Sequence, residues 1–178
     1  MRDQVTHRIL IYGNSGSGKT TMARQLAEAH GLAWLSLDDI AWSSKRETPV
    51  RRPLADCGKV VTEFMEAHLN WVMDGCYGDL IALGLTACTE LRFLNPGVEA
   101  CLDNCRERPW EPDKYPSKEA QDAMLEVLTD WVKAYPERDD DCSLLGHRRL
   151  FDSYEGEKFE YRSLAEYPPE RCRCQCGL

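Results

Sequence analysis

One short segment of the sequence has the glycine, lysine and threonine spacing that is typical of a phosphate-binding loop. Residues 13–20, Gly-Asn-Ser-Gly-Ser-Gly-Lys-Thr, match the Walker A pattern. Glycines allow backbone N–H groups to wrap around a phosphate, and a helix that begins here points its positive end at the same group. We expect Lys19 to reach the terminal phosphates of a nucleotide and Thr20 to bind Mg²⁺. The predicted nucleotide-binding residues are Gly13, Asn14, Ser15, Gly16, Ser17, Gly18, Lys19, Thr20 and Thr21.

Three aspartates at the ends of predicted strands are candidates for binding the metal and for accepting a proton. Asp74 follows the run Trp-Val-Met, and Asp38 and Asp39 follow a run that ends in Leu-Ser-Leu. In an open parallel sheet such strand ends face the crevice that holds the ligand, and carboxylate oxygens suit Mg²⁺. We predict that Asp74 and Asp39 join Thr20 as metal ligands. Asp38 is predicted as the base that takes a proton from an acceptor hydroxyl. The division of these roles among the three aspartates stays open at this point.

The segments that must position these residues alternate between predicted strands and predicted helices. The run from His7 to Tyr12 ends in four apolar residues, which is typical of a buried parallel strand. Lys19 to His30 predicts a helix that ends at Gly31. Further strands are predicted at 33–37, 71–73, 90–94 and 158–162, and further helices at 54–70, 98–105, 117–135 and 147–154. This alternation predicts an α/β fold of three layers, with a parallel sheet between two layers of helices.

The length and composition of the chain predict a single globular domain. It has 178 residues, of which 43% are hydrophobic and 29% charged, so it can bury a sizeable core. We expect the domain to cover residues 1–165 and a flexible cysteine-rich tail to follow at 166–178. The net charge of −8 argues against a broad basic surface, so general nucleic-acid binding is not expected. The sequence shows neither a long apolar run nor a secretory signal, so we expect a cytoplasmic protein without a membrane partner.

The nine cysteines are an unusual feature of this composition. An odd number cannot pair completely within one chain, and there is no Cys-x-x-Cys, so free thiols in a reducing cytosol are expected. Cys76 differs from the others because it follows Asp74 and Gly75 at the predicted site. Filling space is its expected role, and an oxidation-sensitive thiol is the alternative. For Cys172, Cys174 and Cys176 we expect a disordered tail, with metal binding or intermolecular disulfides as the alternative.

The motifs together resemble those of the P-loop small-molecule kinases. This family includes the adenylate, shikimate and gluconate kinases and the adenylate-kinase-like topology modulation proteins. The resemblance covers residues 7–162 and rests on 13–20, 37–40, 71–77, 93–96 and the pair Arg106-x-Arg108. It implies a five-stranded parallel sheet of order 2-3-1-4-5. It also implies an acceptor-binding insert at about 43–70 and a mobile lid at about 106–117.

The resemblance also implies roles for individual residues. Arg106 and Arg108 match the arginines that swing onto the transferring phosphoryl group, and Asp38 or Asp39 matches the residue that holds the acceptor hydroxyl or a metal-bound water. The remaining predicted acceptor-binding residues are Gly75, Tyr77, Arg51 and Arg52.

The chain also departs from the adenylate kinases. Those enzymes follow this aspartate and glycine with an aromatic residue, a proline and an arginine that grips the acceptor phosphate. The run Gly-Cys-Tyr-Gly-Asp at 75–79 lacks that arginine, which argues against a nucleoside monophosphate as acceptor. Arg51 and Arg52 could supply positive charge for an anionic acceptor, or they are a solvated pair in a loop.

The sequence therefore predicts an ATP-binding phosphotransferase that moves the γ-phosphoryl group of Mg-ATP to a small-molecule acceptor. The expected partners are a nucleoside triphosphate and the acceptor, and the protein is expected to be a monomer or a homodimer. The main alternative is a small NTPase or nucleotide-dependent switch without an acceptor, because the Walker A pattern alone does not specify the reaction. A guanine-reading Asn-Lys-x-Asp is absent from the sequence. A redox or metal-sensing module that uses the cysteines is the third hypothesis.

Overall fold

Five parallel strands form the central sheet of the computed structural model, which describes residues 6–43, 50–112 and 115–169. The strands of the chain are β1 Arg8–Gly13, β2 Ala33–Ser36, β3 Trp42–Ser43, β4 Val50–Arg51, β5 Trp71–Gly75, β6 Glu90–Leu94 and β7 Glu157–Tyr161. The sheet has the order β2-β5-β1-β6-β7, while β3 and β4 form a separate antiparallel pair. Numbered within the sheet alone, this order is 2-3-1-4-5. The predicted α/β fold and strand order are therefore confirmed.

Helices cover both faces of the sheet. They are α1 Lys19–His30, α2 Leu37–Ala41, α3 Leu54–Ala67, α4 Gly78–Gly84, α5 Val98–Arg106, α6 Lys118–Ala123, α7 Leu125–Lys133 and α8 Leu144–Ser153, followed by a 3₁₀ turn at Leu164–Glu166. α1 begins and ends where the sequence predicts. Gly31 caps it in the left-handed conformation, with φ 64°, and its N–H donates to the carbonyl of Ala27.

The core explains why β1 is an unbroken apolar run. Leu10 and Tyr12 point to one face, where they join a cluster that includes residues of α3 and α4. Ile9 and Ile11 point to the opposite face and pack against the apolar stripe of α1. Because both faces of β1 are covered, both sets of alternating side chains must be apolar. The carboxyl end of this central strand is where the Walker A segment leaves the sheet.

Three predicted helices differ from those observed, and one of them, predicted at 147–154, spans Leu144–Ser153. The helix predicted at 117–135 is divided at Met124, because α6 is tied to the preceding segment while α7 packs against α5 in its own apolar cluster. Gln121 makes that tie, since its side chain accepts from the N–H of Glu111 at 2.8 Å and donates to the carbonyl of Pro109 at 3.1 Å.

The helix predicted at 54–70 ends at Ala67. The apolar stripe of this predicted helix includes His68 and predicts a core position for it. His68 lies beyond the helix and is exposed, so that prediction is wrong.

Some predictions fall outside the described residues. They concern the cysteines at 172, 174 and 176, part of the insert at 44–49, and positions 113 and 114 of the lid. Within the described residues, none of the helices has the length and apolar character needed to cross a bilayer.

Candidate functional site

The Walker A loop joins β1 to α1 and is packed so closely that side chains cannot replace its glycines. A Cβ atom at Gly13 would lie 2.1 Å from the carbonyl oxygen of Leu94, and one at Gly16 would lie 2.2 Å from that of Cys101. Gly16 and Gly18 have φ angles of 79° and 88°, in the left-handed region that glycine adopts readily. The loop is therefore held between the end of β6 and the first turns of α5, with its backbone folded back on itself.

The lysine of the loop is buried and turned over the backbone. The Nζ atom of Lys19 donates to the carbonyl of Asn14 at 2.7 Å. The Asn14 side chain accepts from the N–H of Ser15 at 2.8 Å and donates to the carbonyl of Val132, at the end of α7, at 3.1 Å. These bonds fix the loop to the end of α7. Within the described residues, one N–H of the Lys19 ammonium makes a hydrogen bond, and two further N–H groups can bind a ligand.

The loop has the features of an anion-binding site. The hydroxyl of Ser17 is buried and has no hydrogen-bond partner within the described part of the chain. Gly18 begins α1 without a capping side chain, and the first turn of this helix contains no carboxylate. An uncapped helix N-terminus, a cation and a buried hydroxyl without a partner together favour an anion.

Asp74 lies at the carboxyl end of β5, against the Walker A threonine. Its Oδ2 atom accepts from the hydroxyl of Thr20 at 2.8 Å, and its Oδ1 atom accepts from the indole N–H of Trp34 at 2.7 Å. Burial raises the pKa of this carboxyl, against the opposing effect of the two hydrogen bonds and of Lys19. A hydroxyl and a carboxylate side by side provide hard oxygen ligands of the kind that Mg²⁺ takes.

The other two aspartates lie in the first turn of α2. The strand predicted at 33–37 ends at Ser36, and the helix that contains Asp38 and Asp39 follows it directly. Asp38 is half-buried and hydrogen-bonds with Tyr77, and its negative charge acts on Asp74. Asp39 is exposed, and among the described residues no contact brings it to Asp74. The structure therefore brings Asp38 to the site and leaves Asp39 at its edge.

Tyr77 connects Asp38 to the insert. Its hydroxyl accepts from the indole N–H of Trp42 at 2.8 Å and is also a hydrogen-bond partner of Asp38. Burial raises the pKa of Tyr77 well above its usual range, so the phenol stays protonated. The Tyr77 oxygen accepts from the Trp42 N–H, so the O–H of the phenol is oriented to donate to the Asp38 carboxylate.

The two arginines of the insert are engaged with the protein itself. The Nη2 atom of Arg51 lies 2.9 Å from both carboxylate oxygens of Asp79, and the guanidinium lies 4.7 Å from the ring centre of Tyr77. Arg52 donates to the carbonyl of Ile40 at 3.4 Å. The Asp79 carboxylate of α4 therefore compensates much of the Arg51 charge. This arrangement differs from both predictions for the pair, which were an anion-binding site and a solvated loop.

The two predicted lid arginines are each paired with a nearby carboxylate. Arg106, the last residue of α5, lies 2.9 Å from Asp103, and Arg108 lies 3.3 Å from Glu111. Arg106 is exposed in this conformation. Both would have to leave these ion pairs to reach a phosphoryl group.

Sequence reasoning missed Arg138, which follows α7. Its Nη2 atom donates to the carbonyl of Cys142 at 2.9 Å, and its guanidinium stacks on the Trp131 ring at 3.3 Å. Its Nε and Nη1 atoms are buried and make no hydrogen bond within the described residues, although Nε lies 3.5 Å from Asp140. The only signal in the sequence that could have indicated it is its position shortly after α7.

Two further residues near the loop were also missed. His147 of α8 is buried, with Nδ1 2.7 Å from the hydroxyl of Tyr135 and Nε2 2.8 Å from the carbonyl of Cys76. Because a carbonyl can only accept, Nε2 carries the proton and Nδ1 accepts from the phenol. Tyr167, near the end of the described chain, donates to the carbonyl of Ser17 at 2.6 Å. No local pattern marks either residue.

Comparison with solved structures identifies the fold. A sugar kinase from a Janibacter species superposes with a TM-score of 0.52 at 16% identity, covering 93% of this chain and 89% of its own. A gluconokinase from Sinorhizobium meliloti superposes with a TM-score of 0.53 at 13% identity, covering 92% of this chain and 85% of its own. No protein-family model and no curated protein matches the sequence. The fold is that of the P-loop small-molecule kinases, as the sequence motifs predicted.

Proposed function

We propose that the protein is a cytoplasmic phosphotransferase that moves the γ-phosphoryl group of Mg-ATP to a hydroxyl of a small-molecule acceptor. The observation that carries this proposal is the contact between Thr20 and Asp74. Thr20 is the last residue of the Walker A pattern, and Asp74 is a carboxylate at the end of a neighbouring strand. Phosphoryl transfer by P-loop enzymes uses such a pair to hold Mg²⁺. The similarity in fold to a sugar kinase and a gluconokinase supports the reaction class.

The nucleotide end of the site would be held by the Walker A loop. The loop N–H groups and Lys19 would bind the phosphate oxygens, and the Ser17 hydroxyl would gain the partner that it lacks. Thr20 and Asp74 would hold Mg²⁺, which when bound neutralises negative charge on the phosphates. We assign the metal to these two residues rather than to Asp39, which is exposed.

The acceptor end of the site would be formed by the carboxyl end of β5 and by α2. Asp38 is suited to accept the proton of an acceptor hydroxyl, because it is half-buried and near Asp74. Tyr77 and Trp42 would orient this carboxylate through their hydrogen bonds. Gly75 allows α2 to pack closely against the end of β5, since a Cβ atom at Gly75 would lie 2.8 Å from the Cβ of Leu37.

Negative charge that develops on the transferring phosphoryl group needs cationic donors. We add Arg138 as a candidate, because its Nη1 and Nε atoms are buried and make no hydrogen bond among the described residues, although Nε lies 3.5 Å from Asp140. Arg106 and Arg108 would join it only after the lid segment moves and their present ion pairs open.

Release of ADP in the presence of Mg-ATP and a panel of sugars, polyols and hydroxy acids tests the proposal. We expect release that depends on one acceptor class, and loss of ATP binding in Lys19→Ala. Lys59→Ala is the matched control, since Lys59 is an exposed lysine of α3. ADP release that needs no acceptor would support the NTPase instead, and a Lys19→Ala protein that binds ATP as tightly as wild type would contradict both.

A further inference from the structure

Trp34 lies next to Asp74 on the face of the sheet that α1 covers. It belongs to β2, an edge strand that pairs with β5, and it stands opposite Val72, two residues before Asp74. Alternate residues of a strand share one face, so Trp34, Val72 and Asp74 point to the same side of the sheet. The Trp34 side chain packs against the apolar cluster beneath α1, and Asp74 is 1% exposed. Trp34 is therefore part of the wall that encloses the Asp74 carboxylate.

The two oxygen atoms of Asp74 have partners of different kinds. Oδ1 accepts from the indole N–H of Trp34 at 2.7 Å, and Oδ2 accepts from the hydroxyl of Thr20 at 2.8 Å. A hydroxyl can turn its proton away and present a lone pair, so Thr20 and Oδ2 can both become ligands of a cation. An indole nitrogen can only donate, so it cannot become a ligand, and its hydrogen bond keeps Oδ1 engaged.

A carboxylate with one engaged oxygen suits Mg²⁺ better than Ca²⁺. Ca²⁺ takes about six to eight oxygen ligands in a flexible shell and can use both oxygens of a carboxylate. Mg²⁺ requires a near-ideal octahedral shell and keeps several of its waters, so it uses few protein oxygens. The choice between the two ions depends on the number and flexibility of the ligands. The bond from Trp34 therefore limits Asp74 in a way that favours the smaller ion.

We propose that Trp34 is a positioning residue that makes the metal site select Mg²⁺ over Ca²⁺. It acts through Asp74, because its N–H occupies Oδ1 and leaves one carboxylate oxygen for the ion. The inference rests on the proposed function, which assigns the metal to Thr20 and Asp74. Loss of a hydrogen bond that orients a metal ligand commonly lowers metal affinity by about 10- to 100-fold.

Calorimetric titration of the full chain with the Mg²⁺ complex and with the Ca²⁺ complex of a non-hydrolysable ATP analogue tests the proposal. Trp34→Phe removes the N–H and keeps an aromatic ring. We expect the ratio of the two affinities, Mg²⁺ over Ca²⁺, to fall about 10-fold in this variant, because Oδ1 becomes available to the larger ion. A role in packing alone would weaken the binding of both complexes equally and leave the ratio unchanged.

Trp110→Phe is the matched control, because Trp110 also donates its indole N–H, to the carbonyl of Tyr115 at 3.1 Å. The affinity ratio of this variant should equal that of wild type. Circular dichroism and the melting temperature show whether each variant folds. If Trp34→Phe does not fold, the same titrations are made with 3-benzothienylalanine at position 34. This amino acid has the shape of tryptophan with a sulfur atom in place of the N–H.

An unchanged affinity ratio in a folded variant without the N–H overturns the proposal, and so does a ratio that falls equally in Trp110→Phe. A wild type that binds the analogue equally well with and without metal also overturns it, together with the proposed metal site. The titrations measure binding and not transfer. If the metal complexes bind but no acceptor supports transfer, the proposed function fails, and the affinity ratio still decides the role of Trp34.

Discussion

The Thr20 hydroxyl donates to the Asp74 carboxylate across 2.8 Å, so the first turn of α1 and the end of β5 meet at one oxygen pair. The register of the sheet makes this contact, since Asp74 pairs with Ile11 two residues before the Walker A loop begins. A buried carboxylate in this position is costly to the fold, because burial raises its pKa. Its place is more easily understood as a requirement of the site than as a source of stability.

Asp74→Asn should therefore separate stability from activity. The amide can accept from Trp34 and donate to Thr20, so both contacts survive without a buried charge. The unfolded wild type loses its Asp74 proton at a lower pH than the folded protein, so wild-type stability should fall relative to the variant as the pH rises above about 4. Urea denaturation at several pH values measures this difference.

The same variant should bind Mg²⁺ about 10- to 100-fold more weakly in the presence of ATP. Titration calorimetry measures this affinity directly. Wild-type metal affinity in Asp74→Asn would remove Asp74 from the metal site.

His147 should give the fold a pH dependence of the opposite sign. Burial lowers its pKa from 6.5 to about 4, so the unfolded chain takes up a proton below pH 6.5 that the folded protein does not. Stability from this residue should fall by on the order of 3 kcal/mol as the pH drops from 6.5 to 4.

His147→Gln should flatten that dependence, because the amide can replace both hydrogen bonds and does not titrate. Chemical denaturation at pH 4.5, 5.5 and 6.5 compares the two proteins. Parallel stability curves for wild type and variant would contradict the assignment.

Gly16→Ala and Gly31→Ala form a matched pair, since both glycines have left-handed backbone angles, with φ of 79° and 64°. At Gly31 the added methyl group meets open space, so we expect a loss of about 1 kcal/mol and unchanged ATP affinity. At Gly16 it meets the carbonyl of Cys101, so the loop must shift and ATP binding should be lost. Equal ATP affinities in calorimetry would show that the close packing of the loop is not needed.

Arg138→Lys should lower the turnover rate while leaving ATP affinity unchanged. Lysine keeps the charge but lacks the planar array of N–H groups, so we expect a fall of about 100-fold. Arg24→Lys is the control, because Arg24 is exposed on α1 and stacks on Trp34 at 5.0 Å. Unchanged turnover in Arg138→Lys would leave phosphoryl binding to Arg106 and Arg108.

The sequence predicted the features that depend on a few consecutive residues. The Walker A loop depends on glycine conformation and one cation, which are visible in eight consecutive residues, and β1 depends on an apolar run. His147 and Tyr167 lie near the loop only because distant elements pack there, and no local spacing in the sequence indicates this. His68 shows the same limit, since an apolar stripe predicted a core histidine where α3 had already ended.

The bond from Tyr167 to Ser17 spans 150 positions of the chain. During synthesis on the ribosome, β1 and the segment that follows it emerge before the edge strand β7 and Tyr167. The bond from Tyr167 to the loop backbone can form only after these later residues have docked. Contacts of such long sequence separation form late and slowly, because a long loop must close first. A nascent chain that already contains the whole Walker A segment therefore still lacks a hydrogen bond that holds the loop backbone in the finished protein.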